Sequence, residues 1–208
     1  MFVLALIDAW VIAQRRKYHD EIDRLSQSMT ALERERARQI VSAERNKLTL
    51  AIELLRRQAQ REPNLHLSVN IDSGTMYLER DGAVLREMPI LIGPERRVGL
   101  PPDTVRLATP RGARTVAQVL VTGDAWMAPS WVYADRGIAE PPQDSLTIPS
   151  GLGPVALLMD GGTLIYSLPG AGPLSDSTYV LPGAVRARAE DLLAILPNLK
   201  SGLRVYFY

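Results

Sequence analysis

Apolar residues recur in this chain with two different periods, and the change falls at Glu62-Pro63. Before it, residues 15–62 are rich in Arg, Glu, Ala, Leu and Gln, all strong helix formers, and place Ile22, Leu25, Met29 and Leu32 three and four apart. The register breaks at Arg36, and a second stripe of Val41, Leu48, Ala51, Ile52 and Leu55 resumes on a shifted face. Two heptads are too few for a long coiled coil. The spacing predicts a helical stalk over 15–62 that packs on a neighbour or on its own domain, with a homodimeric coiled coil or a basic surface for anionic lipid as alternatives.

After Pro63 the period is two. Leu65, Leu67, Val69 and Ile71 alternate with His66, Ser68, Asn70 and Asp72. A turn at Asp72-Ser73-Gly74 follows, and Met76 to Leu78 and Ala83 to Leu85 read as a hairpin around Arg80-Asp81-Gly82. Short strands are predicted at 89–93, 115–121, 155–159, 164–166 and 203–208, with one helix at about 188–196. Proline-rich stretches at 99–103 and 141–142 read as loops. The pattern is that of a mainly β sandwich or barrel over 63–208, with little helix, preceded by a long N-terminal α-helix.

The first residues differ from both patterns. Met1 to Ala13 are apolar except for Asp8 and end at Gln14-Arg15-Arg16-Lys17. As a helix this stretch spans roughly 20 Å, short of the ~30 Å hydrocarbon core. We read 1–14 as a membrane anchor that presents Phe2, Leu4, Leu6 and Trp10 to lipid. A signal peptide and burial against protein are the other readings, but no basic stretch precedes the segment and no small-residue cleavage site follows it. Asp8 at that depth calls for a partner helix, water or headgroups.

Composition sharpens the division. All 15 Pro and 15 Gly lie at or after Pro63, as expected if what precedes is one long helix. The chain carries 24 Lys and Arg against 23 Asp and Glu, so its net charge of +1 exerts no general attraction on nucleic acid. It contains no cysteine, which excludes disulfides, thiolate metal sites and a cysteine nucleophile. No P-loop, dinucleotide fingerprint or metal-ligand spacing is present, and no cofactor is implied.

Six segments, in order, carry a resemblance. Ser68 to Leu78 (SVNIDSGTMYL) is similar to the opening hairpin of the L,D-transpeptidase catalytic domain of the YkuD type, and residues 89–93 (PILIG) to the strand that follows it. Thr109-Pro110-Arg111-Gly112 matches a Thr-Pro-x-Gly turn, and Trp126, Pro129 and Trp131 match a Trp-x-x-Pro-x-Trp segment. Gly151-Leu152-Gly153 with residues 155–158 fits a Gly-x-x-Ala-Leu strand, and Glu190-Asp191-Leu192 with residues 202–207 fits the closing helix and strand. The resemblance covers residues 65–208 and implies an L,D-transpeptidase-like β-sandwich/barrel.

That family cross-links peptidoglycan with a cysteine thiolate, histidines that take its proton, and donors for an oxyanion. Its characteristic string, Ser/Thr-His-Gly-Cys-Ile-Arg, corresponds here to residues 181–187, LPGAVRA. Gly183, Val185 and Arg186 fit the string. Ala184 stands in the nucleophile's place, Pro182 in that of the motif histidine, and Tyr166 in that of an upstream histidine. A methyl group cannot attack a carbonyl, and neither proline nor a neutral phenol replaces an imidazole base. The two histidines, His19 and His66, read as exposed or half-buried structural residues, and Ser167, Ser175 and Ser177 have no imidazole to activate them. Arg186 is expected to hold the loop through a carboxylate or turn carbonyls, and Trp126 and Trp131 to pack in the core.

The resemblance therefore implies a degenerate, non-enzymatic member of the family: a structural or scaffold subunit of a larger bacterial inner-membrane complex, with the domain as a protein-binding surface. The alternative is a pseudoenzyme that holds peptidoglycan stem peptides without cross-linking them. The implied partners are the membrane and other subunits of an assembly, for which an energy-transducing complex is one candidate, with peptidoglycan under the alternative. The implied location is the inner membrane, single-pass, with the domain in the periplasm. Arg15, Arg16 and Lys17 alone favour the opposite orientation.

Overall fold

The computed structural model describes residues 31–99, 104–142 and 145–208. The expected anchor at 1–14, the first part of the expected stalk and His19 lie outside the described residues. Among the described residues, no helix is long and apolar enough to cross a membrane.

Helix α1 runs Ala31–Gln60, free of Gly and Pro throughout, with Glu33 in its first turn and Arg57 in its last, where each charge suits the helix dipole. It stops just before Pro63, whose ring disfavours helical backbone in the preceding residue. The chain divides within this helix into two compact units, one ending at Ala51 and one running from Ile52 to Tyr208. In the first, Leu32, Ile40, Val41, Leu48 and Leu50 are exposed. In the second, Ile52, Leu55 and Ala59 pack with Tyr206 and Tyr208, and the Arg56 guanidinium lies 5.3 Å from the Tyr208 ring centre. The last turns of the expected stalk thus belong with the domain, and the compact unit starts before Pro63.

Eight strands close a barrel: β1 (His66–Asn70), β2 (Thr75–Arg80), β3 (Ala83–Ile92), β6 (Gly112–Val121), β9 (Val155–Met159), β10 (Leu164–Ser167), β11 (Val185–Ala187) and β12 (Arg204–Phe207). Around the barrel the order is β1-β12-β6-β9-β10-β11-β3-β2, with β1–β12 and β10–β11 parallel. Two short ribbons, β4 (Arg96–Val98) with β5 (Val105–Leu107) and β7 (Ala125–Met127) with β8 (Thr147–Pro149), stand apart from it. Helices α2 (Ser130–Arg136) and α3 (Ala189–Ile195) complete the domain.

Side-chain alternation distributes these strands between two cores. Leu67, Val69, Met76, Met88, Val116, Leu157, Ile165, Val185, Val205 and Phe207 fill the barrel together with Leu192 and Ile195 of α3. The neighbouring positions on β9 and β10, Ala156 and Tyr166, point the other way, into a second cluster with Leu120, Trp126, Val132, Leu174 and Leu181. Val155–Met159 is apolar throughout because both of its faces are covered.

Three expectations need correction. Residues 83–85 and 89–93, read as separate strands, form the single strand β3. Its first part pairs with β2 as far as Pro89 opposite Thr75, and its last three residues pair with β11. Pro89, which has no N–H, thus sits where the strand changes partner. Helix α2 was not foreseen: it starts at Ser130 after an extended Pro129 that offers no side-chain cap, and its clearest signal is Gly137, which closes it at φ 63°. His66, expected to be exposed or half-buried, is fully buried. Ser68 beside it is buried too, because Tyr206 covers that face of β1, its ring meeting the imidazole edge-on at 5.5 Å. The hairpin turn is as read, with Asp81 and Gly82 both left-handed at φ 52° and 74°, as a tight two-residue connection requires.

Candidate functional site

The parallel register of β10 and β11 sets Tyr166 opposite Arg186. Both lie on the face away from the barrel interior, one residue out of step with Ile165 and Val185. The loop at 181–184 delivers the chain into β11, so the five positions singled out by the resemblance, Tyr166, Pro182, Gly183, Ala184 and Arg186, do come together.

Their surroundings are those of a packed core. Ala184 is 2% exposed, and Tyr166 and Pro182 are buried. Ala184 and Tyr166 share the second cluster with Leu181, Trp126 and Val132. The Tyr166 hydroxyl accepts the Leu181 N–H at 3.0 Å. Burial pushes this phenol above its ordinary pKa, opposed by the Leu181 N–H and then by Arg186. It is therefore a neutral group fixed to the loop.

The loop backbone is equally committed. The Ala184 N–H donates to the Leu181 carbonyl at 3.1 Å, the Gly183 N–H to the Pro94 carbonyl at 3.3 Å, and the Gly93 N–H to the Ala184 carbonyl at 2.8 Å. Gly93 approaches so closely that a Cβ there would lie 1.9 Å from the Leu181 oxygen. Gly183 takes φ 69°, with a Cβ position 3.2 Å from the Ala108 carbonyl. Amides that could serve as oxyanion donors at 183 and 184 thus already have protein acceptors.

Of the two partners expected for Arg186, the turn carbonyls are the ones observed. Nη1 donates to the Tyr179 carbonyl at 2.8 Å and, at a longer 3.5 Å, to that of Asp176, while Nη2 donates to the Ser177 carbonyl at 2.7 Å. Arg186 is 7% exposed, so its charge is spent on shaping residues 176–179. Ser167 is buried and exchanges hydrogen bonds with the Val155 backbone, and the Ser175 hydroxyl donates to the Gly172 carbonyl. Trp126 is core, as expected, and Trp131 packs beside the same cluster.

Sequence reading missed the polar brace over this loop. The Tyr179 hydroxyl donates to Asp135 at 2.8 Å, and Arg96 donates to the same carboxylate at 2.7 Å. Arg136 bonds Asp176 at 2.9 Å, with its guanidinium 4.7 Å from the Tyr179 ring centre. Burial and then Asp135 push the Tyr179 phenol up. The Thr178 hydroxyl and N–H, and then Arg136, hold Asp176 down to about 2. The only hint in the sequence is the Asp135-Arg136 pair at the end of an unforeseen helix. His66 donates Nδ1–H to the Asn64 carbonyl and faces Glu79 through Nε2 at 3.1 Å, a structural placement.

A closed barrel with a loop feeding β11 is the class of domain these observations define. Among solved structures, the chain is similar to an L,D-transpeptidase from Xylanimonas cellulosilytica, with a TM-score of 0.48 and 18% identity over 71% of this chain and 61% of that one. It is also similar to a mutant of the Enterococcus faecium L,D-transpeptidase (TM-score 0.47, 16% identity, 71% and 50%) and to an L,D-transpeptidase from Mycobacterium smegmatis (0.41, 22%, 69% and 58%). The match spans 61% and 50% of the first two structures' own lengths. No family model and no curated protein sequence matches the chain.

Proposed function

We propose that this chain is a non-enzymatic subunit of a bacterial inner-membrane assembly, and that its transpeptidase-like domain serves as a protein-binding surface. The observation that carries the reading is the packing of the nucleophile's position. Ala184 is a methyl group 2% exposed inside an apolar cluster, on a loop whose amides already have acceptors. A site of that kind offers a substrate carbonyl neither a nucleophile nor access. The absence of cysteine from the whole sequence agrees with it.

The membrane attachment rests on the apolar residues 1–13 and the periplasmic setting on the sequence resemblance. Both Nη atoms of Arg186 are directed at turn carbonyls, which weighs against the alternative of a stem-peptide site that would need a free guanidinium for a carboxylate. Native electrophoresis of a mild-detergent extract from the source cells, probed for this chain, tests the proposal. Migration in a complex far above 23.0 kDa is expected, and a lone 23.0 kDa species would sink it. Retention on purified sacculi by the wild type but not by Arg186→Ala would instead favour the stem-peptide reading.

A further inference from the structure

The structure assigns a second site, unrelated to the vestigial loop: a basic cavity that binds a phosphate monoester. It has a volume of about 550 Å³ and lies where the segment after α1 meets the start of β12 and the β2–β3 turn. That volume is within the range of small-ligand sites, roughly 300–1,000 Å³. Its charged lining is Arg80, Lys200, Arg204 and Glu62.

Glu62 does not cancel this charge freely, because its carboxylate is already used. One oxygen accepts the Asn64 N–H and side-chain amide at 3.3 and 2.9 Å, and the other accepts Arg204 at 3.2 Å and the Tyr206 hydroxyl at 3.1 Å. Arg204 is 59% exposed beyond that contact. The side chains of Arg80 and Lys200 make no hydrogen bond or ion pair among the described residues, and Asp81 and Glu79, which flank Arg80 in sequence, do not line the cavity. Three cations against one internally bonded carboxylate leave two positive charges facing the space.

Bulk charge does not account for this. Residues 63–208 carry 12 Lys and Arg against 14 Asp and Glu, so the cluster is positive within a domain that is negative overall. Two unneutralised charges match a dianionic phosphoryl group better than a single carboxylate, and two of the three cations are guanidiniums, whose forked donors suit phosphate oxygens. A second cavity across the Glu62–Arg204 pair adds Arg61, together with Arg57, whose guanidinium already pairs with Glu53 at 3.0 Å, so only Arg61 extends the positive field.

The ligand class has two sources, a soluble sugar or glycerol phosphate and a lipid headgroup, and the test separates them. Full-length protein in detergent is titrated with sn-glycerol 3-phosphate by calorimetry, and in parallel floated with phosphatidylcholine vesicles with and without phosphatidic acid. Arg80→Gln and Lys200→Gln should each weaken binding about tenfold, the loss expected for one charge-assisted contact. Arg97→Gln, an exposed cation elsewhere with no side-chain partner among the described residues, should leave it unchanged. Both cavity residues are exposed and unpartnered, so the thermal unfolding of these variants should match wild type. Calorimetric binding lost in the cavity variants identifies a soluble ligand, and loss of only the phosphatidic-acid-dependent flotation identifies a lipid headgroup. No binding in either arm, or an equal loss in Arg97→Gln, overturns the assignment.

Discussion

The substitution Gly93→Ala isolates the contact that locks the loop at 181–184 onto the end of β3. Gly93 does not have a positive φ, so alanine's backbone preferences are not at issue and the effect comes from space alone. The new methyl would lie 1.9 Å from the Leu181 oxygen, 2.8 Å from its carbonyl carbon and 3.0 Å from the Ala184 oxygen. All three are backbone atoms, so no flexible side chain can give way. To reach ordinary contact the loop must retreat by more than an ångström. That movement endangers the Gly93 N–H bond to the Ala184 carbonyl and the Leu181 N–H bond to the buried Tyr166 hydroxyl. Overpacking costs about 1–3 kcal/mol, and leaving a buried N–H unsatisfied about 1–3 kcal/mol more. The expected loss is therefore roughly 2–6 kcal/mol, a large share of a domain's stability, and a fall of about 4–24 °C in Tm. Urea unfolding followed by circular dichroism should show a lower midpoint with an unchanged slope. Gly170→Ala is the control, since it has neither a positive φ nor any atom within 4 Å of the added carbon, and it should stay within about 0.5 kcal/mol of wild type. If Gly93→Ala unfolds with the wild type, the loop is not held as described and the sealed-site argument fails with it.

Ala184→Cys, alone or with Tyr166→His and Pro182→His, should form no cross-link in a stem-peptide assay, because the position is buried and the neighbouring amides are occupied; measurable product would refute this. Tyr166→Phe strips the Leu181 N–H of its acceptor in a fully buried setting and should cost about 1–3 kcal/mol in the same urea experiment. Asp176 has its folded pKa lowered to about 2 from an ordinary 3.8, so it favours the folded state above pH ~4, and that contribution fades as the pH falls toward 2. Acid unfolding of Asp176→Asn should accordingly show a shallower decline than wild type between pH ~4 and ~2, and identical slopes would count against the Thr178 and Arg136 contacts.

The legible parts of the fold were those written in periodicity. The hairpin at Arg80-Asp81-Gly82, the fully apolar strand at 155–159 and the closing helix and strand all follow from local pattern, because alternation and turn chemistry act within a few residues. What periodicity could not supply was the identity of each strand's covering layer. His66 occupies a polar slot in a clean alternation, which predicts exposure, yet Tyr206, far along the chain, lies on that face. Helix α2 escaped notice because a seven-residue helix with no capping side chain leaves only its terminal glycine as a signal. The five site positions were found by matching a motif, but neither their closure nor the carbonyl clamp on Arg186 has any local signature: the clamp joins residues seven to ten apart through loop backbone.

Two features of the loop at 181–184 bear on each other. A reactive cysteine needs a cleft, a partly exposed sulfur and free amides nearby, and each of these weakens packing by leaving surface and donors uncovered. A methyl group such as that of Ala184 requires neither water nor substrate to reach it. The arrangement seen here is the one that favours stability: Ala184 joins an apolar cluster, its N–H bonds Leu181, and Tyr166 turns its hydroxyl to the same loop. Introducing a thiol at 184 therefore addresses only the chemical half of the problem, because the loop would still have to open against the Gly93 contact and the three carbonyls held by Arg186.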